Sequence, residues 1–154
     1  MWNDLDPIAV AETEMRRRKR AKPLVIDRLD ELKGLAAEGK PILIDFWQEG
    51  CGPCKIMNGI VNELAEEFDG AAHVVKVDVG RVPGAAAEFK VQSTPTFVVL
   101  ARSQKKPSKK ARKKAAAAGA PAKKSYSPRW RGSGLVQKDM LERVLVSNGA
   151  TRQP

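Results

Sequence analysis

Apolar positions along this chain recur at periods that switch between those of helices and those of strands. Asp6 stands as an N-cap with Pro7 at the first helical position, Glu12 and Glu14 fall early and the basic cluster Arg16 to Arg20 late, which predicts a helix that Pro23 ends. Leu24 to Ile26 predicts a short strand, and Leu29, Leu32, Leu35 and Ala36 repeat at helical spacing through 27–38 before Gly39. Pro41-Ile42-Leu43-Ile44-Asp45-Phe46-Trp47 is a near-continuous apolar run, the form of a central strand buried on both faces, with one carboxylate inside it. Met57, Ile60, Val61, Leu64 and Phe68 then mark the stripe of an amphipathic helix ending near Gly70. His73 to Val79 predicts a third strand, Pro83 to Phe89 a small alanine-rich helix, and Thr96 to Ala101 a fourth strand. Ser125 to Arg131 predicts a fifth strand, Gly132-Ser133-Gly134 a turn, and Met140, Leu141, Val144 and Leu145 a last helix closed by Gly149. Strand and helix alternate, which predicts an α/β domain.

Residues 102–124 break this pattern. They are built almost wholly of Lys, Arg, Ala, Ser, Pro and Gly, cannot bury enough surface to offset ordering entropy, and are expected to be a disordered insertion in a hairpin tip. The chain accordingly divides into a basic helical extension (1–22), a domain over 23–150 interrupted by 102–124, and a short tail (151–154).

Charge sharpens the division. The chain has 154 residues, enough for one core, and its 28 basic residues exceed its 18 acidic ones by ten. Ten basic residues and no acid lie within 102–124, so the remainder is formally neutral. A flexible cationic arm suits nucleic acid or an acidic protein, with salt-sensitive affinity, and its plainer reading is a solvated loop that aids solubility.

Two cysteines exclude a disulfide-rich scaffold, and a single histidine, His73, argues against a four-ligand Cys/His zinc site. No apolar run reaches the roughly 20 residues that cross a bilayer, and the early acids Asp4 and Asp6 do not fit a signal peptide. The expectation is a cytoplasmic protein with no membrane contact, where a close cysteine pair is catalytic rather than structural.

Cys51-Gly52-Pro53-Cys54 falls where the buried strand gives way to a helix. Exposed N–H groups and the macrodipole at a helix N-terminus favour a thiolate, so Cys51 is the candidate nucleophile and Cys54, one turn in and more buried, the resolving thiol. Alone, C-x-x-C also serves metal sites, and Asp45 has a competing explanation as a carboxylate paired with Lys76.

Three motifs taken together resemble the thioredoxin family: Asp45-Phe46-Trp47, Cys51-Gly52-Pro53-Cys54-Lys55, and Ser93-Thr94-Pro95-Thr96-Phe97, whose proline lies 41 residues beyond Cys54. The resemblance runs from about Pro23 to Gly149, omitting the insertion. It implies a thioredoxin fold, a central mixed sheet of about five strands with helices on both faces, and a disulfide reductase that uses no bound cofactor and no metal. It makes Asp45 the buried carboxylate that accepts a proton from Cys54, with Lys76 beside it and Trp47 and Lys55 as support. Gly52, Pro53, Thr94, the cis-proline Pro95 and the loop glycine Gly132 become the surface that receives substrate. The Gly-Pro pair between the cysteines implies a reductant rather than an oxidant. Protein disulfides are the implied substrates, and a thioredoxin reductase or another external reductant the implied electron source. The competing function is a binding protein for nucleic acid or an acidic partner on the same scaffold, with redox activity secondary. One departure stands out: the family's tryptophan before the first cysteine is Gly50 here, which is expected to open the rim that substrates and a reductase touch.

Overall fold

The structure is a computed structural model that describes Ile8 and residues 21–103, 106–119 and 126–152. The helix expected over 6–22 falls outside these residues, apart from Ile8 and the irregular Ala21 and Lys22. Five strands form one sheet: β1 (Leu24–Val25), β2 (Ile42–Trp47), β3 (His73–Asp78), β4 (Thr96–Arg102) and β5 (Tyr126–Ser133), in the spatial order β1-β3-β2-β4-β5. β1 and β2 run parallel to β3, while β4 is antiparallel to both β2 and β5, so the sheet is mixed. The helices are α1 (Asp30–Ala37), α2 (Gly52–Glu67), the single turn α3 (Ala85–Glu88), α4 (Lys109–Ala117) and α5 (Lys138–Ser147). No helix among the described residues is long and apolar enough to cross a membrane.

β2 is central, and side-chain alternation splits it between two cores. Ile42, Ile44 and Phe46 join Val75, Val77, Val98, Ile26, Leu32 and Val82 on the face covered by α1 and α3. Leu43 turns the other way and meets Met57, Val61, Leu64, Phe97, Leu141 and Leu145 under α2 and α5. Asp45, two residues beyond Leu43, faces this second layer. Lys138 joins the two helices there, its Nζ lying 2.6 Å from Glu67 and 2.8 Å from Glu63.

Both sheet edges resist further pairing. β1 has only two residues, and β5 carries Pro128, which removes one ladder donor. β5 also contains a bulge: Val99 pairs with Trp130 and Leu100 with Pro128, leaving Arg129 as the extra residue. The strand continues through Gly132 and Ser133, which the sequence pattern assigned to a turn. A Cβ at Gly132 would overlap the indole of Trp130, its same-face neighbour, so glycine is needed there for packing.

The insertion also differs from expectation, for Lys109–Ala117 forms a helix. Ser108 caps it by accepting the Ala111 N–H at 3.1 Å, Gly119 follows its end at φ +68°, and no residue of α4 is buried. The composition that rules out a core is still rich in helix formers.

Gly132→Ala is expected to cost about 1–3 kcal/mol of stability by overpacking, read as a lower urea midpoint. Trp130→Leu in the same chain should recover part of that loss, and additive costs would count against the packing contact.

Candidate active site

The turn between β2 and α2 places the cysteines. Cys51 N–H donates to the Gln48 carbonyl at 3.3 Å, and Gly50, at the turn's third position, has φ +79°. That left-handed conformation is the one such turns reserve for glycine. Gly50 is thus a backbone requirement of this loop, and open space surrounds it.

Cys51 is the N-cap of α2, extended at φ −83° and ψ 110°. Gly52 and Pro53 occupy the first turn, where a proline forfeits no helical hydrogen bond. The Cys54 N–H donates to Cys51 Sγ at 3.2 Å, the contact through which a helix N-terminus stabilises a thiolate. Cys51 and Cys54 are joined as a disulfide with Cα atoms 5.3 Å apart. Cys51 remains partly accessible, whereas Cys54 is 4% exposed. Cys54 shares its face of α2 with Met57, Val61 and Leu64 and so points into the same layer as Asp45. Lys55 and Ile56 lie on the outer face, and Ile56 is an exposed apolar side chain beside the motif.

The loop before β4 supplies the other wall. The Thr94–Pro95 peptide is cis, Pro95 is buried, and the Thr94 carbonyl oxygen lies 3.4 Å from Cys51 Sγ. In the disulfide that sulfur carries no proton, so a hydrogen bond along this line belongs to the dithiol. Gly134 N–H donates to the Pro95 carbonyl at 2.9 Å, with φ +77°. Gly134 therefore holds the proline loop, and Gly132, two residues earlier, pairs with Phe97 inside β5.

Asp45 is 1% exposed, and its Oδ1 has no hydrogen-bond partner. Burial pushes its pKa up to about 6, while the positive charge of Lys76 pulls it partway back. Lys76 pairs with Asp45 in register across β2 and β3. Its Nζ lies 5.1 Å from the centre of the Trp47 ring and donates to Asn58 Oδ1 at 2.8 Å. Asn58 on α2 thus holds the lysine beside the carboxylate without adding a second negative charge. It carries no motif, and only this cross-element contact reveals it. No group of three or more metal-ligating side chains occurs among the described residues. A groove of about 800 Å³ lined by Leu29, Leu32, Phe89, Leu100, Tyr126 and Arg131 lies on the opposite side of the sheet and includes none of these site residues.

A strand-turn-helix dithiol facing a cis-proline above a buried carboxylate is the arrangement of the thioredoxin class. The thioredoxin family model matches residues 30–120, more than half of the chain, and the chain belongs to that family. It is 47% identical over 58 residues to the thioredoxin of Staphylococcus saprophyticus, covering 38% of this chain and 56% of that one. It is also 47% identical over 66 residues to thioredoxin 1 of Chlorobaculum tepidum, covering 43% and 65%. The chain thus spans less than two thirds of the length of these curated relatives. Among solved structures, a mutant thioredoxin from Halobacterium salinarum superposes with a TM-score of 0.61 at 23% identity, covering 87% of this chain and 96% of that one. The thioredoxin of Fasciola hepatica gives a TM-score of 0.59 at 26% identity, covering 81% and 98%. These superpositions extend the likeness of fold past residue 120 to β5 and α5.

Two outcomes test this geometry. Gly50→Trp should lower stability by about 1–2 kcal/mol, measured by urea unfolding, because a tryptophan must adopt the left-handed conformation; unchanged stability would mean that the turn rearranges. Asp45 titrates at about 6 in the folded chain against an ordinary 3.8. Between those values the folded state keeps a proton that the unfolded state releases, so stability falls as pH rises through this window. Asp45→Asn should therefore gain up to about 3 kcal/mol near pH 7 and little near pH 4, and an equal gain at both would rule out titration as the cause.

Proposed function

We propose that this chain is a thioredoxin-type protein disulfide reductase. The observation that carries the reading is the Cys51 sulfur, partly accessible, receiving the Cys54 N–H at the start of α2 and facing the Thr94 carbonyl beside Pro95. In the reduced chain the Cys51 thiolate attacks one sulfur of a substrate disulfide, forming a mixed disulfide and releasing the other substrate sulfur as a thiolate, which takes up a proton. Cys54 then loses its proton to Asp45 and attacks Cys51 Sγ, releasing the second substrate sulfur and leaving the Cys51–Cys54 disulfide. Two electrons pass to the substrate, and an external dithiol reductant returns them. Proteins bearing disulfides are the substrates in this reading, and a thioredoxin reductase is a fitting reductant.

Each neighbouring group has a part in this sequence of steps. A carboxyl with a pKa near 6 is mostly ionised at neutral pH and still basic enough to take a thiol proton. Lys76, held by Asn58, offsets the negative charge that reaches the buried layer. Gly52, Pro53, Thr94 and Pro95 form the face against which an extended substrate stretch lies, its backbone pairing with Thr94. Trp47 and Lys55 flank that face, Gly132 lies at its β5 side, and Gly134 holds the proline loop through the Pro95 carbonyl. The functional unit is the domain over 23–150, with 1–22, 102–124 and 151–154 as appendages, working in the cytoplasm. Residues 102–124, which leave the sheet at Arg102, add a contact with a polyanion.

Reduction of insulin disulfides, driven by dithiothreitol and followed as precipitation of the freed chain, tests the reading. The wild-type chain should accelerate it well above dithiothreitol alone, Cys51→Ser should return it to that background, and Cys54→Ser should accumulate a mixed disulfide with insulin. Asp45→Asn should slow turnover and flatten its rise with pH through about 6. A folded wild-type chain no faster than dithiothreitol alone would overturn the assignment.

A further inference from the structure

α4 has a cap and good helix formers, and its charges work against it. Lys109 and Lys110 place positive charge at the end where the helix dipole is already positive. Lys109 with Lys113, and Lys110 with Lys114, set like charges four residues apart on one surface. Nine residues are too few for such a helix to hold firmly in water by itself, and no side chain of α4 is buried against the domain. Both charge penalties fall when anions line the helix.

The chemistry of the segment narrows what those anions belong to. At the helical repeat, the five cations Lys109, Lys110, Arg112, Lys113 and Lys114 spread over an arc of about 200°, with Ala111, Ala118 and the half-buried Ala115 in the gap. Residues 102–124 contain no aromatic and no large aliphatic side chain. A protein interface needs such anchors at its desolvated centre, whereas a phosphate backbone is held by cations alone. The missing aromatics also remove any platform for stacking the bases of a single strand. A bare helix flanked by alanines fits the major groove of B-form DNA, about 12 Å wide, and is shut out of the deep, narrow major groove of duplex RNA.

The base of the insertion is fixed and remote from the cysteines. Arg102 lies over the Tyr126 ring at 5.7 Å, and the Tyr126 hydroxyl donates to the Lys40 carbonyl. β4 pairs Arg102 with Tyr126 at this end and Thr96 with Ser133 at the other, about 20 Å away along the strand. Thr96 follows the Thr94–Pro95 loop that faces Cys51. A ligand on α4 therefore leaves the dithiol open.

We propose that α4 is a docking element for duplex DNA, gripping phosphates on both sides of the major groove without reading sequence, and holding the dithiol domain at the nucleic acid. This stands on charge and placement and does not depend on the disulfide-reductase reading.

The test is fluorescence anisotropy of the full chain with a labelled mixed-sequence 20-base-pair duplex across a salt series. Five neutralised phosphates correspond to a slope of log affinity against log salt of about −4.5, and to about a 500-fold loss between roughly 50 and 200 mM salt. Replacing Lys109, Lys110, Arg112, Lys113 and Lys114 together by Gln should make the slope shallower by about four to five. Changing only the four lysines to Arg should leave the slope as it is, because charge rather than side-chain identity carries the contact. An unchanged slope in the Gln variant overturns the proposal, as does equal or tighter binding of a matched RNA duplex or of poly-glutamate. The readout requires no redox turnover, so inactivity toward insulin leaves it intact.

Discussion

A central strand buried on both faces leaves its one carboxylate no route to water, and the chemistry of this chain follows from that constraint. β2 has parallel β3 on one side and antiparallel β4 on the other, so neither edge is open. Its odd-numbered side chains enter the layer beneath α2, and Asp45 must share that layer with Leu43, Met57 and Val61. An isolated ionised carboxylate in such a place is costly, and the structure relieves the cost in two ways. The proton binds more tightly than usual, and a lysine from the neighbouring strand stands in register opposite. The same strand then ends at the turn that delivers Cys51 to the start of α2, so one element sets both the buried carboxylate and the partly accessible sulfur.

The two cysteines separate by environment although they lie only three residues apart. Cys51, outside the helix proper, gains the Cys54 N–H and the field of the α2 N-terminus, both of which favour a thiolate. Cys54, inside the first turn and buried, has lost solvent, which opposes ionisation. A difference of this kind suits the order of events proposed for the site, in which the outer sulfur attacks first and the inner one needs a base. The proposed role of Asp45 answers that need, and Asn58 keeps Lys76 from drifting toward solvent, where its charge would be screened.

Much of this was legible along the chain because it depends on short-range pattern. The apolar run of β2, the stripe of α2 and the cysteines at their junction lie within 27 residues of one another, from Ile42 to Phe68, and local periodicity reports them directly. What was not legible depends on register between distant segments. The bulge at Arg129 shifts how Trp130 and Gly132 sit against β4, which carries the strand through Gly132 and leaves Gly134 to meet Pro95. The positive φ of Gly50 left no mark beyond the glycine itself, so a missing tryptophan looked like a change in substrate rim when it is also a backbone demand. Asn58 and Lys76 are eighteen residues apart and meet only because α2 packs over β3. α4 is a different case: Ser108, the run of Ala, Lys and Arg, and Gly119 are ordinary helix signals, outweighed in the sequence reading by the absence of anything to bury.

The base from which the insertion leaves and the loop that faces Cys51 lie at opposite ends of β4, and this separation has a physical consequence. A cationic helix close to Cys51 would favour its thiolate further, and it would also bias the site toward acidic substrates and make catalysis follow ionic strength. With about 20 Å of β4 between them, screening at physiological salt removes most of that coupling, since the Debye length there is about 8 Å. On the proposed reading, the formally neutral remainder of the chain meets protein disulfides of either charge, and the insertion holds the molecule at its polyanion. Tolerance of a long insertion follows from the same geometry. The described residues of the tip carry no core side chain, its base is closed by Arg102 and Tyr126, and loop closure costs little more as the tip lengthens.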